Sequence, residues 1–154
     1  MYSVQRAPAD SPEAAELMRE LSDILRAITG RGGEAGFRIE DMDHPRSAFA
    51  ICYLDGVPVG CGAIREFFPD TAELKRMYAR RAGRGAGGAI LRFLEEEAAR
   101  LGYARIILET GTANERAVGF YLASGYRVCE NFGKYAGRDD SVCFSKALYT
   151  NPKH

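Results

Sequence analysis

Three kinds of residue in this chain could do chemistry together. They are a glycine-rich turn with glycines at 83, 85, 87 and 88, a carboxylate at Glu73, and a tyrosine at position 121 in a largely apolar segment. Backbone N–H groups at a glycine turn that opens a helix suit a phosphate, because they are unpaired and lie at the positive end of the helix dipole. A carboxylate can accept a proton, directly or through water, and a phenol can donate one. Glu66 and Glu109 are weaker candidates for the carboxylate role.

Phosphate-binding arrangements built on a glycine turn can be separated by what surrounds it. A nucleotide P-loop needs Lys and then Ser or Thr after its last glycine. Here Ala89 and Ile90 follow Gly87 and Gly88, so no lysine reaches a terminal phosphate. A dinucleotide motif is formally complete, since Gly83, Gly85 and Gly88 satisfy G-x-G-x-x-G and Glu109 stands near the position of a ribose-binding acid. Such a motif follows a strand buried on both faces, whereas "ELKRMYARR" is charged along much of its length. Too little chain follows Gly88 for the remaining parallel strands and a substrate domain.

Periodicity shows which elements must position these residues. Residues 2–6 alternate as a short strand, and "SPEAAELMRELSDILRAITG" predicts a helix with Ser11 as cap, Pro12 at its first position and Gly30 as its stop. Residues 31–46 are irregular and polar, with Phe37 and Met42 as apolar anchors, and a substrate lid is one use for them. "SAFAICYLDGVPVGCGAIREF" predicts a hairpin about Asp55-Gly56, and "TAELKRMYA" a further strand after Pro69-Asp70. Past the glycine turn, Ile90, Leu91, Leu94, Ala98 and Leu101 line one face of a helix whose outer face carries Arg92, Glu96 and Arg100. "YARIILET" is an apolar strand, "ANERAVGFYLAS" a helix ended by Gly125, and "YRVCE" and "SVCFSKAL" are closing strands. The natural assembly is a single α+β domain over residues 1–154, with a mixed, mostly antiparallel sheet flanked by helices. Its one parallel pair comes from the strand, helix, strand unit between Glu73 and Thr110.

Composition bounds the partners. Twenty-one basic residues balance twenty-one acidic ones, so no global field draws the chain to nucleic acid or to an anionic membrane. No apolar run approaches the roughly 18 residues of a spanning helix, and the N-terminal residues lack a signal-peptide pattern, which points to a cytoplasmic protein. Cys52, Cys61, Cys129 and Cys143 form no C-x-x-C pair and lie far from His44 and His154, so no metal site is expected. A two-residue turn at Asp55-Gly56 sets Cys52 opposite Val59 and Cys61 opposite Ala50, with the thiol-bearing residues diagonal at about 7 to 8 Å. They are expected as small buried hydrophobes in a reducing compartment.

Asn114, Ala117, Tyr121, Gly125 and Tyr126 follow the spacing N-x-x-A-x-x-x-Y-x-x-x-G-[FY], downstream of a glycine loop, an amphipathic helix and an apolar strand. Together these resemble the Gcn5-related N-acetyltransferase (GNAT) superfamily, and the element order matches along the whole chain. The resemblance implies an acetyl-CoA-dependent N-acetyltransferase, with acetyl-CoA as co-substrate, acting on a primary amine by direct attack in a ternary complex. It places the pantetheine arm beside Met77, Tyr78 and Ala79, and the pyrophosphate on Gly83, Arg84, Gly85, Ala86, Gly87 and Gly88. It further implies that residues 106–110 splay from the neighbouring strand to open the slot. Backbone N–H groups around Met77 and Tyr78 would stabilise the charge that develops on the attacked carbonyl.

By the same resemblance Tyr121 protonates the departing thiolate, and Glu73 matches the strand glutamate that serves as base in histone-type members. Asn114 both caps its helix and contacts the cofactor, beside Ala117. The loop departs from the family pattern: Ala82 stands where Gln or Arg is common, leaving Arg81 or Arg84 to carry the charge. The acceptor, a small-molecule or peptide amine, stays open among polyamines, amino acids, aminoglycosides and protein amines. "CENFGKYAGRDDSVC" and residues 31–46 are expected to wall its pocket. A homodimer is compatible with this picture. The alternative from another class is a non-catalytic acetyl-CoA-binding regulatory module.

Overall fold

Seven strands form one sheet: β1 (Tyr2–Arg6), β2 (Ala48–Leu54), β3 (Val57–Phe68), β4 (Thr71–Ala79), β5 (Arg105–Gly111), β6 (Arg127–Cys129) and β7 (Ser141–Ala147). Their order is β1-β2-β3-β4-β5-β7-β6. The structure is a computed structural model and describes residues 1–80 and 84–148. Among the described residues only β4 and β5 run parallel, and every other neighbouring pair is antiparallel. The α+β architecture expected from the sequence is therefore present, and the doubly wound parallel sheet of a dinucleotide fold is not.

The helices α1 (Pro12–Thr29), α2 (Ala86–Arg100) and α3 (Glu115–Ala123) divide between the two faces of the sheet. On one face Ile90, Leu91, Leu94 and Ala98 of α2 and Tyr121 of α3 pack on Ile64, Leu74, Ile106 and Leu108. Burial of these side chains drives the docking, and truncating Leu94 to Ala would cost about 2–5 kcal/mol. The other face carries Ala14, Leu17 and Met18 of α1 against Phe49, Ile51, Cys61 and Ala63. Ser11 caps α1 by accepting from the Ala14 N–H, and Gly30 closes it in the left-handed conformation. The apolar stripe of α1 is longer than its buried face, since Ile24 and Ile28 stay exposed. Two short 3-10 turns, Glu34–Gly36 and Ile39–Asp43, lie within the irregular stretch after α1, and Phe37 anchors it in the α1-side core.

Asp55 and Gly56 both have positive φ, as a two-residue hairpin turn of the favoured hand requires. The strand register differs from the one the turn alone implies. An irregularity at Cys52/Tyr53 pairs Cys52 with Gly60 and Ile51 with Cys61, so Val59 is the extra residue. Cys52 then lies in the α2-side core and Cys61 in the α1-side core, on opposite faces of the sheet. That separates the two thiols more thoroughly than the expected diagonal, and all four cysteines are free.

A second irregularity shapes β4. Its register with β3 shifts between Cys61 and Ala63, and Arg76 there takes φ +55, a conformation that costs a non-glycine residue roughly 1–2 kcal/mol. Gly62 faces this bulge. A Cβ on it would stand 2.5 Å from Met77 Sδ and 2.9 Å from Leu94 Cδ1, so a larger residue would have to displace both side chains where β3, β4 and α2 approach closely. On its other edge β4 pairs with β5 only at Thr71–Glu73, opposite Arg105–Ile107. Beyond that the strands part, β4 staying with β3 to Ala79 and β5 with β7 to Gly111.

Candidate active site

The parting of β4 and β5 opens a cleft of about 390 Å³. Leu74, Lys75, Arg76 and Met77 of β4 line it on one side, and Leu108, Glu109 and Thr110 of β5 on the other. Asn114, Ala117 and Tyr121, on the α3 side, and Gly33, Gly36, Lys134 and Tyr135, from the loops after α1 and β6, complete its lining. The splay expected for residues 106–110 is thus the origin of the cavity.

Along the β4 edge of the slot, backbone groups lack a strand partner past Glu73. The Arg80 N–H donates to the Val59 carbonyl at 2.7 Å on the β3 side. Alternation along the strand then turns the N–H and C=O of Met77 and Ala79 toward the slot. Met77 lines the cleft with its side chain as well. The Tyr78 side chain points the other way, donating to Glu20 Oε1 at 2.9 Å, so only its backbone is near the slot. Burial and that carboxylate push the Tyr78 phenol up to about 12.

The glycine turn leads into α2 with Gly85 as its N-cap at φ +82, and the first intrahelical bond runs from the Ala89 N–H to the Gly85 carbonyl. The N–H groups of Gly85, Ala86, Gly87 and Gly88 therefore lack helical partners. A Cβ on Gly87 would meet the Phe120 ring at 3.5 Å and Ala79 Cβ at 4.0 Å, which sets the start of α2 beside the end of β4 and against α3. These residues and Arg84, which is exposed, lie beyond the cleft wall itself. Arg81 and Gly83 lie outside the described residues. Arg80 is committed elsewhere, bonding both oxygens of Glu20 and the Pro58 carbonyl.

Tyr121 is only 7% exposed, packed among the rings of Phe120, Tyr126 and Phe144 at 5.1, 5.7 and 6.0 Å. No hydrogen-bond partner is present for its hydroxyl among the described residues, yet that oxygen is not a sealed, orphaned atom. It opens on the cleft, where burial raises its pKa and keeps the proton on. Asn114 caps α3, its side chain accepting from the Ala117 N–H at 3.4 Å.

The three candidate carboxylates have different surroundings. Glu73 is 4% exposed and stands outside the cleft wall, with Oε1 accepting from Arg65 Nη2 at 3.0 Å and Nε at 3.1 Å, and Oε2 3.5 Å from Lys75 Nζ. Arg65 also bonds Asp41, tying the stretch after α1 to the sheet. Glu66 pairs with Arg46 at 2.9 Å, away from the cleft. Glu109 lines the cleft and accepts from Ser141 Oγ at 2.7 Å. Burial raises its pKa, against smaller opposing effects of the Ser141 bond and the Lys75 charge.

Within the lining, Lys75 Nζ donates to the Tyr135 hydroxyl at 3.2 Å, and Lys134 lies 5.5 Å from the Tyr135 ring centre. Asp140 lines the cleft but is taken by Arg31 at 3.1 Å and by Arg138 at 3.2 Å. Of the segments expected to wall the acceptor pocket, 31–46 contributes Arg31, Gly33, Ala35 and Gly36 and the later one contributes five residues between Lys134 and Ser141, whereas 39–46 is absent from the lining. Lys75 was absent from the sequence expectation, although it shares a strand face with Glu73. The Arg76 bulge has no sequence signal, being a product of sheet register.

The chain matches the model of the acetyltransferase (GNAT) family over residues 14–126. It is 32% identical over 114 residues to the uncharacterized N-acetyltransferase YsnE of Bacillus subtilis, covering 71% of this chain and 76% of that protein. In fold it resembles the protein named as an acyl-CoA N-acyltransferase of Klebsiella pneumoniae, with a TM-score of 0.81 at 24% identity over 97% of this chain and 99% of that one. A GNAT family acetyltransferase from Elizabethkingia anophelis, solved with acetyl-CoA bound, gives a TM-score of 0.69 at 15% identity over 96% of this chain and 98% of that one.

Proposed function

This chain belongs to the GNAT acetyltransferase family, and from that premise we propose that it transfers the acetyl group of acetyl-CoA to a primary amine by direct attack in a ternary complex. The observation that carries this reading is the slot between β4 and β5, with an unpaired strand edge on one side and the free Tyr121 hydroxyl in its lining. Acetyl-CoA supplies the acyl thioester. Met77 and Ala79 offer it backbone donors and acceptors, while Tyr78 between them turns its N–H and C=O to β3 and only spaces the two. The amides of Gly85, Ala86, Gly87 and Gly88 suit its pyrophosphate, as do Gly83 and the side chains of Arg84 and Arg81. Asn114 and Ala117 shape the lining beside it.

Tyr121 delivers the proton to the leaving sulfur. Its raised pKa means that the hydroxyl is protonated throughout the neutral range, as an acid must be. The backbone N–H at Met77, turned outward next to the Arg76 bulge, stabilises the charge that grows on the attacked carbonyl. Glu73 was the expected base, but both its oxygens are engaged and it does not reach the cleft wall. Glu109 does, from the strand opposite Lys75, and its raised pKa moves its proton affinity toward that of a neutral-pH base. The base role is accordingly given to Glu109, and Glu73 holds Lys75 in place. The free thiols fit a cytoplasmic location.

Thiol release from acetyl-CoA in the presence of a broad amine panel tests this reading, alongside the rise in melting temperature that acetyl-CoA should cause. Binding without release for any amine would favour a regulatory acetyl-CoA-binding module instead.

A further inference from the structure

We propose that the amine acceptor carries a carboxylate, as an amino acid does, and that Lys75, Lys134 and Tyr135 bind that carboxylate in the cleft. The inference rests on the acetyltransferase reading above and names the substrate class of the same site.

Gly36 marks the spot. A Cβ placed on it would lie 3.0 Å from Lys75 Nζ, 3.2 Å from Lys134 Nζ and 3.6 Å from the Tyr135 hydroxyl. Two ammonium groups and a phenol thus converge beside the Gly36 backbone, and all four residues line the cleft. Like charges held this close repel, and an anion between them turns that repulsion into attraction. A carboxylate has two oxygens with which to accept from both ammonium groups in charge-assisted bonds.

Neighbouring anions do not fill this role. Glu73 is divided between two cations, its Oε1 bound by the Arg65 guanidinium and its Oε2 paired with Lys75 at 3.5 Å, so it neutralises this corner only in part. Asp140 is held by Arg31 and Arg138, and Glu109 accepts from the Ser141 hydroxyl. Lys134 is an exposed residue of the cleft lining and has no ion pair among the described residues. Lys75 has a side chain only 11% exposed, so its charge is held in a poorly solvated corner. Glu73, shared with Arg65, offsets only part of the cost of burying that ammonium, and a bound carboxylate adds a further partner.

The cleft wall as a whole carries five cationic side chains, Arg31, Lys75, Arg76, Lys134 and Arg138, against two carboxylates, Glu109 and Asp140. Acceptors that are cations only, such as polyamines and aminoglycosides, meet a field of the wrong sign. An amine with a carboxylate anchors its negative end at Lys75 and Lys134. Its amino group is then left to Glu109, on the strand across the opening.

The test is thiol release from acetyl-CoA with the twenty amino acids, their carboxamides, polyamines and aminoglycosides. At least one amino acid should be acetylated, and its carboxamide should lose about 10- to 100-fold in kcat/KM, as expected for losing charged hydrogen bonds. Lys134→Met, at an exposed position, should raise KM for the amino acid about tenfold with kcat held, and narrow its advantage over the carboxamide. Lys75→Met should do so more strongly, with the acetyl-CoA thermal shift showing that the fold persists. Acetylation confined to amines without a carboxylate, or equal rates for acid and carboxamide, would overturn the inference while leaving the acetyltransferase intact. Absence of release with every amine would remove the acetyltransferase reading, and this inference with it.

Discussion

Arg76 donates from Nη1 to the Gly32 carbonyl at 2.9 Å while its own backbone forms the bulge of β4, so one residue bends β4 and pins the chain leaving α1. Its Nη2 also reaches the Met18 carbonyl at 2.8 Å and the Ser22 hydroxyl. Arg76→Met keeps most of the apolar stem and leaves three acceptors without their donor. Each orphaned group costs about 1–3 kcal/mol if it stays buried. A loss of several kcal/mol is expected, a large part of the roughly 5–15 kcal/mol that a domain has. Urea unfolding should show a lower midpoint with an unchanged slope. A midpoint equal to wild type would mean that water replaces the guanidinium without cost.

Gly85→Asp should abolish the rise in melting temperature that acetyl-CoA produces. Gly85 has φ +82, so a side chain there is strained, and a negative charge would stand where the α2 amides suit a pyrophosphate. Apo stability should drop by about 1 kcal/mol from the backbone conformation alone. Retained affinity for acetyl-CoA in that variant, measured by calorimetry, would move the phosphate seat elsewhere.

Tyr121→Phe deletes one hydroxyl and keeps the ring that packs on Phe120, Tyr126 and Phe144. Because the hydroxyl has no protein partner among the described residues, stability should change by less than about 1 kcal/mol. As a general acid it should contribute about 10²- to 10⁴-fold to turnover, with acetyl-CoA affinity altered far less. Full turnover by the variant on an active acceptor would take Tyr121 out of the mechanism.

Much of this architecture can be read from local pattern. The Ser11 cap, the Asp55-Gly56 turn and the apolar stripe of α2 each follow from short-range chemistry, and each stands where the sequence puts it. The spacing from Asn114 to Tyr121 lies on one helix, so those residues necessarily arrive at the cleft together. Long-range register is different. The extra residue at Val59 and the Arg76 bulge are settled by how β3 packs against its neighbours, and no periodicity in either strand announces them. The polar partners of Glu73 are equally hidden, since Arg65 comes from β3 and Lys75 from the same strand face. A carboxylate chosen by spacing alone looks free until its counter-charges are known. Glu109 shows the reverse: by position it matched a ribose-binding acid and ranked as a weaker base candidate, whereas the fold puts it in the wall of the cleft between β4 and β5.

Glu109 and Glu73 can be told apart by the sign of their pH effects. Burial raises the Glu109 pKa, so its basic form is lost as pH falls through that raised value, and kcat should decline on the acid side. Glu109→Gln should erase this acid limb and lower the plateau by about 10²- to 10⁴-fold. Glu73 acts through Lys75, whose pKa burial lowers and whose charged form the Glu73 carboxylate supports. Glu73→Gln removes that support, so Lys75 should lose its proton at lower pH than in wild type. KM for a carboxylate-bearing acceptor should then climb at alkaline pH while the acid limb of kcat stays in place. Glu109→Gln leaves Lys75 its Glu73 partner and should spare acceptor KM by comparison. Steady-state profiles of both variants decide the matter: an acid limb that vanishes with Glu73→Gln and persists with Glu109→Gln would return the base role to Glu73.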